Sequence, residues 1–148
     1  MQKKKQSVSK LKKKLDSVFS KYIRLRDSFD VNGELSCTCV TCGATKPVKN
    51  MQAGHFMSRR YNATRFHEKN VNPQCMGCNM YDQGRQYDHA IYIDKIYGDG
   101  TAADLRKLST GLKQWKAFEL EELIEEYKNK AKEITQKATH ARFVKVGE

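Results

Sequence analysis

Four cysteines with metal-ligand spacing are the first chemical feature of this sequence. Cys39 and Cys42 form one Cys-x-x-Cys pair, and Cys75 and Cys78 form a second. Two thiolates at that spacing can bind one zinc ion, and two such pairs complete a tetrahedral sulfur site. A redox-active pair or unrelated buried cysteines are the alternatives, but two well-formed pairs favour zinc. We therefore predict a structural Zn²⁺ held by all four.

The fifth cysteine leaves one ligand position open. Cys37 and Cys42 also have an allowed ligand spacing, so Cys37 can replace Cys39. We favour Cys39 because Cys39-Val-Thr-Cys42 is the tighter knuckle and Gly43 follows it directly. Cysteines that serve as zinc ligands suit a reducing compartment, and we therefore expect a cytoplasmic protein.

Three polar residues are placed around the second cysteine pair. His55 lies between the pairs, Asn70 precedes the second pair, and Asn79 directly follows its last cysteine. This order and spacing resemble the HNH or ββα-metal nucleases, in the variant with asparagine at the last position. The resemblance implies that His55 is the general base, that Asn70 braces the hairpin, and that Asn79 binds a catalytic Mg²⁺ or Mn²⁺. It also implies products with 5′-phosphate and 3′-hydroxyl ends.

A longer stretch carries a closer resemblance. The run QAGHFMSRRYNATRF at residues 52–66, followed by residues 70–79, resembles the NinG (Rap) proteins of lambda-like phages. The similarity covers most of the chain, as far as the region of Tyr127. It implies a recombination endonuclease that acts on branched DNA, such as Holliday junctions and displacement loops. If the protein is encoded by a phage or prophage, the bacterial host cytoplasm is where it acts.

The residue types suit phosphodiester hydrolysis, with one departure from the HNH pattern. His55 suits proton transfer because the unperturbed pKa of histidine is near neutrality. Its alternatives are a core histidine or a spare zinc ligand, which four thiolates make redundant. Many HNH nucleases carry Asp or His before the base as a further metal ligand, whereas this chain has Gly54. A second ligand can come from His67, Glu68 or Asp82, and the spacing does not choose among them.

The charge balance predicts an anionic partner. Lysine and arginine number 28 against 17 acidic residues, which gives a net charge of +11. Such a surplus indicates nucleic acid or an anionic membrane. No stretch approaches the roughly 20 apolar residues that span a bilayer, so we expect no membrane partner. Branched DNA is the partner that the family resemblance implies.

Two groups of basic residues are candidates for contact with DNA phosphates. The first group lies on the N-terminal helix, where a solvated helix face is the alternative, and comprises Lys10, Lys12, Lys13 and Lys14. Lysines bind phosphates without base specificity, through counterion release. The second group is Arg59 and Arg60, in the loop after His55. Arginine can clamp a phosphate bidentately, and we favour Arg60 over Arg59.

The pattern of strands and helices expected around these residues indicates an α+β fold. We predict a zinc-stapled ββα-metal (HNH-like) nuclease core with long flanking helices. We divide the chain into a basic amphipathic helix at 1–32, the core at 33–86, a helical region at 87–135 and a loose polar tail at 136–148. Strands are predicted at 35–40 and 51–57 in one hairpin. A short helix is predicted to begin at Asn72-Pro73, which has N-cap and first-turn character.

Two long helices carry apolar stripes. Leu11, Leu15, Val18, Tyr22, Leu25 and Phe29 recur at helical spacing in the first, and a predicted helix at 112–134 carries the second. The simplest prediction is that the two stripes pack on each other within one chain. The alternative is that the first is a short coiled-coil seam, and a homodimer would suit paired cuts across a junction.

Two functions of different classes follow from the sequence. The first is a metal-dependent, structure-selective endonuclease. The second is a non-catalytic zinc module that binds branched or single-stranded DNA and recruits recombination partners. The enzyme is favoured because a binding module needs none of the residues His55, Asn70 and Asn79 beside its zinc.

Overall fold

Helices and two small antiparallel sheets form the structure, which confirms the predicted α+β class. A computed structural model describes residue 2 and residues 4–146, so parts of the predicted N-terminal segment (1 and 3) and tail (147–148) lie outside the described residues. In chain order the elements are α1 (Val8–Arg26), β1 (Phe29–Val31), β2 (Glu34–Thr38), β3 (Thr45–Pro47), a 3₁₀ turn (Val48–Asn50), β4 (Gln52–His55), α2 (Asn62–Arg65), β5 (Val71–Gln74), a π-helical turn (Gly77–Tyr81), α3 (Gln86–Tyr97), α4 (Thr101–Ser109) and α5 (Ala117–Val146).

The apolar stripes of α1 and α5 pack on each other and form the main core. Leu15 and Phe19 of α1 are fully buried, and Leu120 and Tyr127 of α5 lie against them. The rings of Phe19 and Tyr127 meet edge to face with their centroids 4.8 Å apart. This confirms the prediction of a core within one chain. The predicted helix at 1–32 is wrong at its end, because α1 stops at Arg26 and Phe29 of the predicted stripe lies exposed in β1. The apolar face of α1 is covered by α5, so α1 is packed into the core along its length.

The strands pair differently from the predicted hairpin. Strands near 35–40 and 51–57 exist as β2 and β4, but they lie in separate sheets. β3 follows β2 closely and pairs with it, which completes the sheet β1-β2-β3 before β4 begins. β4 pairs instead with β5, with His55 opposite Val71 and Gln52 opposite Gln74. The hairpin partner of the His55 strand is therefore the strand that leads to the second cysteine pair.

The predicted helix start at Asn72-Pro73 is wrong, because both residues belong to β5. Phe56 N–H donates to Asn70 O at 2.8 Å, and backbone bonds alternate along an antiparallel pair. Pro73 therefore occupies a position where an N–H would point away from β4, so its missing donor costs the sheet nothing. Its carbonyl accepts from Val40 N–H at 3.0 Å, which attaches the first cysteine knuckle to β5.

The C-terminal helix differs from its prediction at both ends. It begins at Ala117 and continues through residues 136–146, which were predicted to form a loose tail. This segment contains mainly good helix formers, with no glycine or proline before Gly147. Arg142 also pairs with Asp30 at 3.1 Å. None of the helices within the described residues has the length and apolar character needed to cross a membrane.

Candidate metal and catalytic site

The four paired cysteines converge on one point. The Sγ atoms of Cys39, Cys42, Cys75 and Cys78 all lie within 4.8 Å of one another, and those of Cys42 and Cys75 are 3.7 Å apart. The first pair lies in the turn between β2 and β3, and the second connects β5 to the π-helical turn. Tetrahedral sulfur coordination is the arrangement that zinc prefers, so this donor set fits a zinc ion.

Cys37 is buried outside this cluster. Burial raises the pKa of its thiol to about 11, and the positive charge of Arg24 opposes this only in part. Its thiol is not part of the group of four whose sulfurs lie within 4.8 Å of one another. The geometry thus groups Cys39, rather than Cys37, with the other three cysteines.

Hydrogen bonds favour a thiolate at Cys39. Burial opposes its ionisation, but the hydroxyl of Thr41 and the backbone N–H groups of Cys75, Thr41 and Cys42 together lower its pKa to about 6. At Cys42 the backbone N–H of Ala44 favours the thiolate, while burial and contacts with the other thiols raise the pKa. A cation bound between the four sulfurs would favour their thiolate forms, as zinc does in such a site.

A cleft of about 410 Å³ contains both His55 and Asn79. Residues of α1, of β4 and the loop after it, and of the π-helical turn and the turn that follows line this cleft. Met51 lines the cleft and also packs against the buried cysteines, so it connects the cleft to the cysteine cluster. The predicted base and the predicted metal ligand therefore share one solvent-filled space.

The ring of His55 is held in one orientation and is neutral at pH 7. Its Nε2 atom lies 2.9 Å from the carbonyl oxygen of Arg65. A carbonyl only accepts, so Nε2 carries the proton and Nδ1 carries the lone pair. Burial lowers the pKa of His55 to about 4, and the positive charges of Arg59 and Arg65 act in the same direction, against the Arg65 carbonyl and Asp16. His55 is thus an unprotonated base throughout the neutral range.

Asn70 is fully buried and bridges three backbone groups. Its Nδ2 donates to the carbonyl oxygens of Met57 and Thr64, both at 3.0 Å, and its Oδ1 accepts from Met57 N–H at 2.8 Å. These bonds tie β5 to the loop that follows His55. This is a bracing arrangement, and its importance for catalysis stays a prediction.

The amide of Asn79 is oriented by Gln52. Asn79 Nδ2 donates to Gln52 Oε1 at 2.7 Å, and Asn79 N–H donates to Cys75 O at 2.9 Å. With Nδ2 engaged, Asn79 Oδ1 is left as the acceptor. An amide oxygen is a suitable ligand for a hard divalent cation, so the donor chemistry fits Mg²⁺ or Mn²⁺.

The space beside Gly54 is filled by Gln74. A Cβ atom at residue 54 would lie 1.8 Å from Gln74 Oε1 and 2.6 Å from its Cδ. The Gln74 side chain is fully buried, and its Nε2 donates to Thr41 Oγ1 at 3.1 Å and to Gly84 O at 2.8 Å. Among the described residues, its Oε1 has no hydrogen-bond partner. A side chain at residue 54 would therefore have to displace Gln74.

The three residues considered as a second metal ligand lie elsewhere. Glu68 accepts from the hydroxyl of Tyr22 at 2.6 Å, His67 Nδ1 accepts from a backbone N–H, and Asp82 faces Arg85. None of these three side chains lines the cleft. The carboxylate that does line it is Asp16, on α1.

The structure separates the two candidate arginines. Arg59 lines the cleft, and its Nη1 is 3.9 Å from Asp16 Oδ2. Arg60 lies instead over the ring of Tyr61, 4.9 Å from the centroid. The geometry therefore favours Arg59 over Arg60 as the phosphate clamp, and the role itself stays a prediction.

The candidate lysines lie on α1, toward its N-terminal end. Lys10, Lys13 and Lys14 are exposed, and Lys12 is half-buried. At 100° per residue, Lys13 falls on the same helix face as Asp16 and Ser20, which line the cleft. A positive surface thus continues from the cleft along α1.

Three residues of this site were absent from the sequence predictions: Asp16, Gln52 and Gln74. Glutamines carry no motif, and their contacts with Asn79 and Gly84 form only after folding. Asp16 offered one signal, because it is the only acidic residue among residues 1–26. An isolated carboxylate in so basic a helix indicates a specific partner.

The comparisons with known proteins give one match. A family model described as the bacteriophage Lambda NinG protein matches residues 1–137. No curated protein and no solved structure matches the chain.

Proposed function

The chain belongs to the bacteriophage Lambda NinG protein family, and on that premise we propose that it is a metal-dependent endonuclease that cuts branched DNA. Family membership implies a role in phage recombination. Holliday junctions and displacement loops are the branched intermediates of that process. We expect the protein to act in the cytoplasm of the bacterial host.

The observation that carries the proposal is the shared cleft of His55 and Asn79. β4, β5 and the π-helical turn follow one another as strand, strand and helix, with His55 on the first strand and Asn79 on the helical turn. This order supports an HNH-like, ββα-metal core, in which a base and a metal ligand face one scissile phosphate. A pure DNA-binding module has no use for an oriented neutral imidazole beside a free amide oxygen.

Each residue of the cleft has a separate role in the proposed reaction. His55 Nδ1 takes a proton from the attacking water, while the Arg65 carbonyl holds the ring in place. Arg59 binds a phosphate oxygen of the substrate. Asn79 Oδ1 would hold Mg²⁺ or Mn²⁺. When bound there, the ion would supply a Lewis acid for the leaving 3′ oxygen, and the products would then carry 5′-phosphate and 3′-hydroxyl ends.

The sulfur-bound zinc has a structural role in this proposal. Its four ligands join the knuckle after β2 to the start of the π-helical turn, and that turn presents Asn79. A closed four-sulfur site leaves no open position for water, so it does not take part in the reaction directly. Zinc binding would therefore stabilise the cleft wall.

Cleavage of a four-way DNA junction tests the proposal against a linear duplex of the same sequence. With Mg²⁺ or Mn²⁺, we expect cuts in the junction strands whose ends a ligase can rejoin, and no cuts in EDTA. The Asn79→Ala variant should bind Mn²⁺ more weakly in a direct titration and should keep its zinc.

The opposite result has a defined meaning. If the protein binds the junction tightly but makes no cut with either metal, it is a non-catalytic zinc module that binds branched DNA. Paired cuts require two active sites, and we expect two copies of the chain on one junction to supply them.

A further inference from the structure

Asp16 is the acidic side chain of the cleft wall. It is the only acidic residue among residues 1–26, and its side chain is only 13% exposed. Both of its oxygens are engaged by Arg65, with Nε to Oδ1 at 3.1 Å and Nη2 to Oδ2 closer still. A bidentate arginine–carboxylate pair fixes both direction and distance. The pair therefore locks Arg65, the last residue of α2, onto the middle of α1.

The locked arginine holds the predicted base. The carbonyl oxygen of Arg65 accepts the Nε2–H of His55 at 2.9 Å. The third nitrogen of the guanidinium, Nη1, donates to the carbonyl oxygen of Arg59 at 3.2 Å. One arginine thus connects the acid on α1 to the histidine on β4 and to the loop that carries the phosphate-binding side chain.

We propose that Asp16 is a positioning residue, which acts through Arg65 to hold the His55 ring in its Nε2–H tautomer with Nδ1 facing the cleft. This inference rests on the proposed nuclease function. It makes α1 part of the catalytic unit, and not only a basic surface for DNA.

A carboxylate is needed at this position for two reasons. Arg59 and Arg65 place two positive charges beside His55, and Asp16 is the negative charge that balances them. An asparagine has nearly the same shape but offers one acceptor and no charge, so it cannot reproduce the bidentate pair. Both oxygens of Asp16 accept a hydrogen bond from Arg65, so its charge is already paired with a guanidinium.

The chain offers a control ion pair at the C-terminal end of the same helix. Asp27 pairs bidentately with Arg26, at 2.9 and 2.7 Å, and both side chains are partly buried. Asp27 does not line the cleft. Asp27→Asn therefore removes a comparable ion pair without touching His55, Arg65 or Arg59.

The first measurement is the ring ¹⁵N spectrum of His55 in the zinc-bound full chain. The wild type and Asp27→Asn should show a single Nε2–H tautomer, whereas Asp16→Asn should show exchange between tautomers. If Asp16→Asn loses zinc or its melting transition, the Asp16→Asn/Arg65→Gln double variant replaces it, because no buried charge is left unpaired. An unchanged tautomer in the folded variant overturns the proposal.

The second measurement is single-turnover cleavage of the junction. Asp16→Asn should slow cleavage by roughly ten- to a hundredfold, the scale expected for a misplaced reacting group, with less than a threefold change in junction affinity. Asp16→Glu should recover part of the rate. If Asp16→Asn instead abolishes Mn²⁺ binding, Asp16 is a metal ligand and the positioning role is wrong.

The two measurements separate this proposal from the proposed function. If wild-type protein makes no cut, the nuclease function fails, while the tautomer measurement still decides whether Asp16 orients His55. If wild-type protein cuts and Asp16→Asn cuts at the same rate with the same tautomer, only the positioning role fails.

Discussion

His55 Nε2 lies 2.9 Å from the carbonyl oxygen of Arg65, which leaves Nδ1 as the basic nitrogen. The pKa of about 4 keeps this ring neutral at pH 7, but it also makes the free ring a weak base. Burial is the main cause of this low pKa, and a bound phosphate would offset the smaller lowering by the charges of Arg59 and Arg65. Substrate binding is therefore expected to strengthen the base.

Acid should destabilise the fold through the histidines whose pKa is lowered by burial, and His55 and His89 are shifted furthest. Burial lowers the pKa of His89 to about 4, as it does that of His55, against an ordinary value of 6.5. Below pH 6.5 the unfolded chain binds protons that the folded chain excludes, so the free energy of unfolding falls as pH falls toward 4. Each histidine contributes at most about 3 kcal/mol to this loss. Urea unfolding at pH 7, 6 and 5 measures this change in the free energy of unfolding.

A variant isolates the histidine contribution to that pH dependence. His89→Gln should show a shallower loss of stability below pH 6.5, whereas His140→Ala, which removes an exposed histidine, should keep the wild-type slope. Zinc content is measured at each pH so that metal loss is not mistaken for histidine protonation. An equal slope in His89→Gln and wild type contradicts the assignment.

Removal of zinc should damage the cleft before the helical core. The buried residues of α1 and α5 form one cluster, and the cysteines with Met51 form another. Cys75→Ser should therefore lose its zinc and its junction cleavage while it keeps most of its helical circular dichroism. Cys37→Ala should retain one zinc per chain. Zinc loss in Cys37→Ala with zinc retained in Cys39→Ala would reverse the choice of ligand.

A side chain at residue 54 should disrupt the packing beneath the cleft. In Gly54→Ala, the new Cβ would displace Gln74, which holds Thr41 and Gly84. We expect a loss of about 1–3 kcal/mol of stability, the usual cost of overpacking. The measurement is chemical unfolding of the zinc-loaded protein.

Two further variants test the cause of that loss. Gly77→Ala adds a Cβ that meets only Cys75 Sγ at 3.9 Å, so it should be tolerated. The double variant Gly54→Ala/Gln74→Ala removes the clash and should show a favourable coupling energy. Additive effects of the two substitutions would show that Gln74 is not the obstacle.

Lysines on α1 should set the salt dependence of DNA binding. Glutamine substitution suits this test better than deletion of residues 1–14, because Leu11 is buried in the core. The slope of log affinity against log salt should become shallower by about one for each lysine that contacts a phosphate. The substituted residues are Lys10, Lys12, Lys13 and Lys14. Replacing Arg106 and Lys107, exposed on α4, should leave the slope unchanged.

The chemistry of the site was largely predictable from the sequence, because its motifs are local. A Cys-x-x-Cys pair binds zinc through its own spacing, and the Asn79 that follows Cys78 is positioned by the same turn. The clustering of both cysteine pairs and the shared cleft of His55 and Asn79 needed no knowledge of the rest of the fold. Their catalytic roles stay predictions.

Contacts between distant segments were not predictable. Local propensity favours a helix start at Asn72-Pro73, but pairing with β4 makes this segment a strand. Gln74 and Asp16 belong to residue types that are usually solvated, and only the folded chain shows that they reach Gly84 and Arg65. Sequence reasoning thus identified the candidate groups for chemistry and missed the residues that contact and orient them.

The most direct test of the account is the single-turnover rate of junction cleavage by His55→Ala, measured with Mn²⁺ on protein of known zinc content. We predict a rate 10²- to 10⁴-fold below wild type, the usual contribution of a general base, with one zinc per chain and unchanged junction affinity. His140→Ala should cleave as wild type does. A His55→Ala variant that cleaves the junction at the wild-type rate would contradict the account.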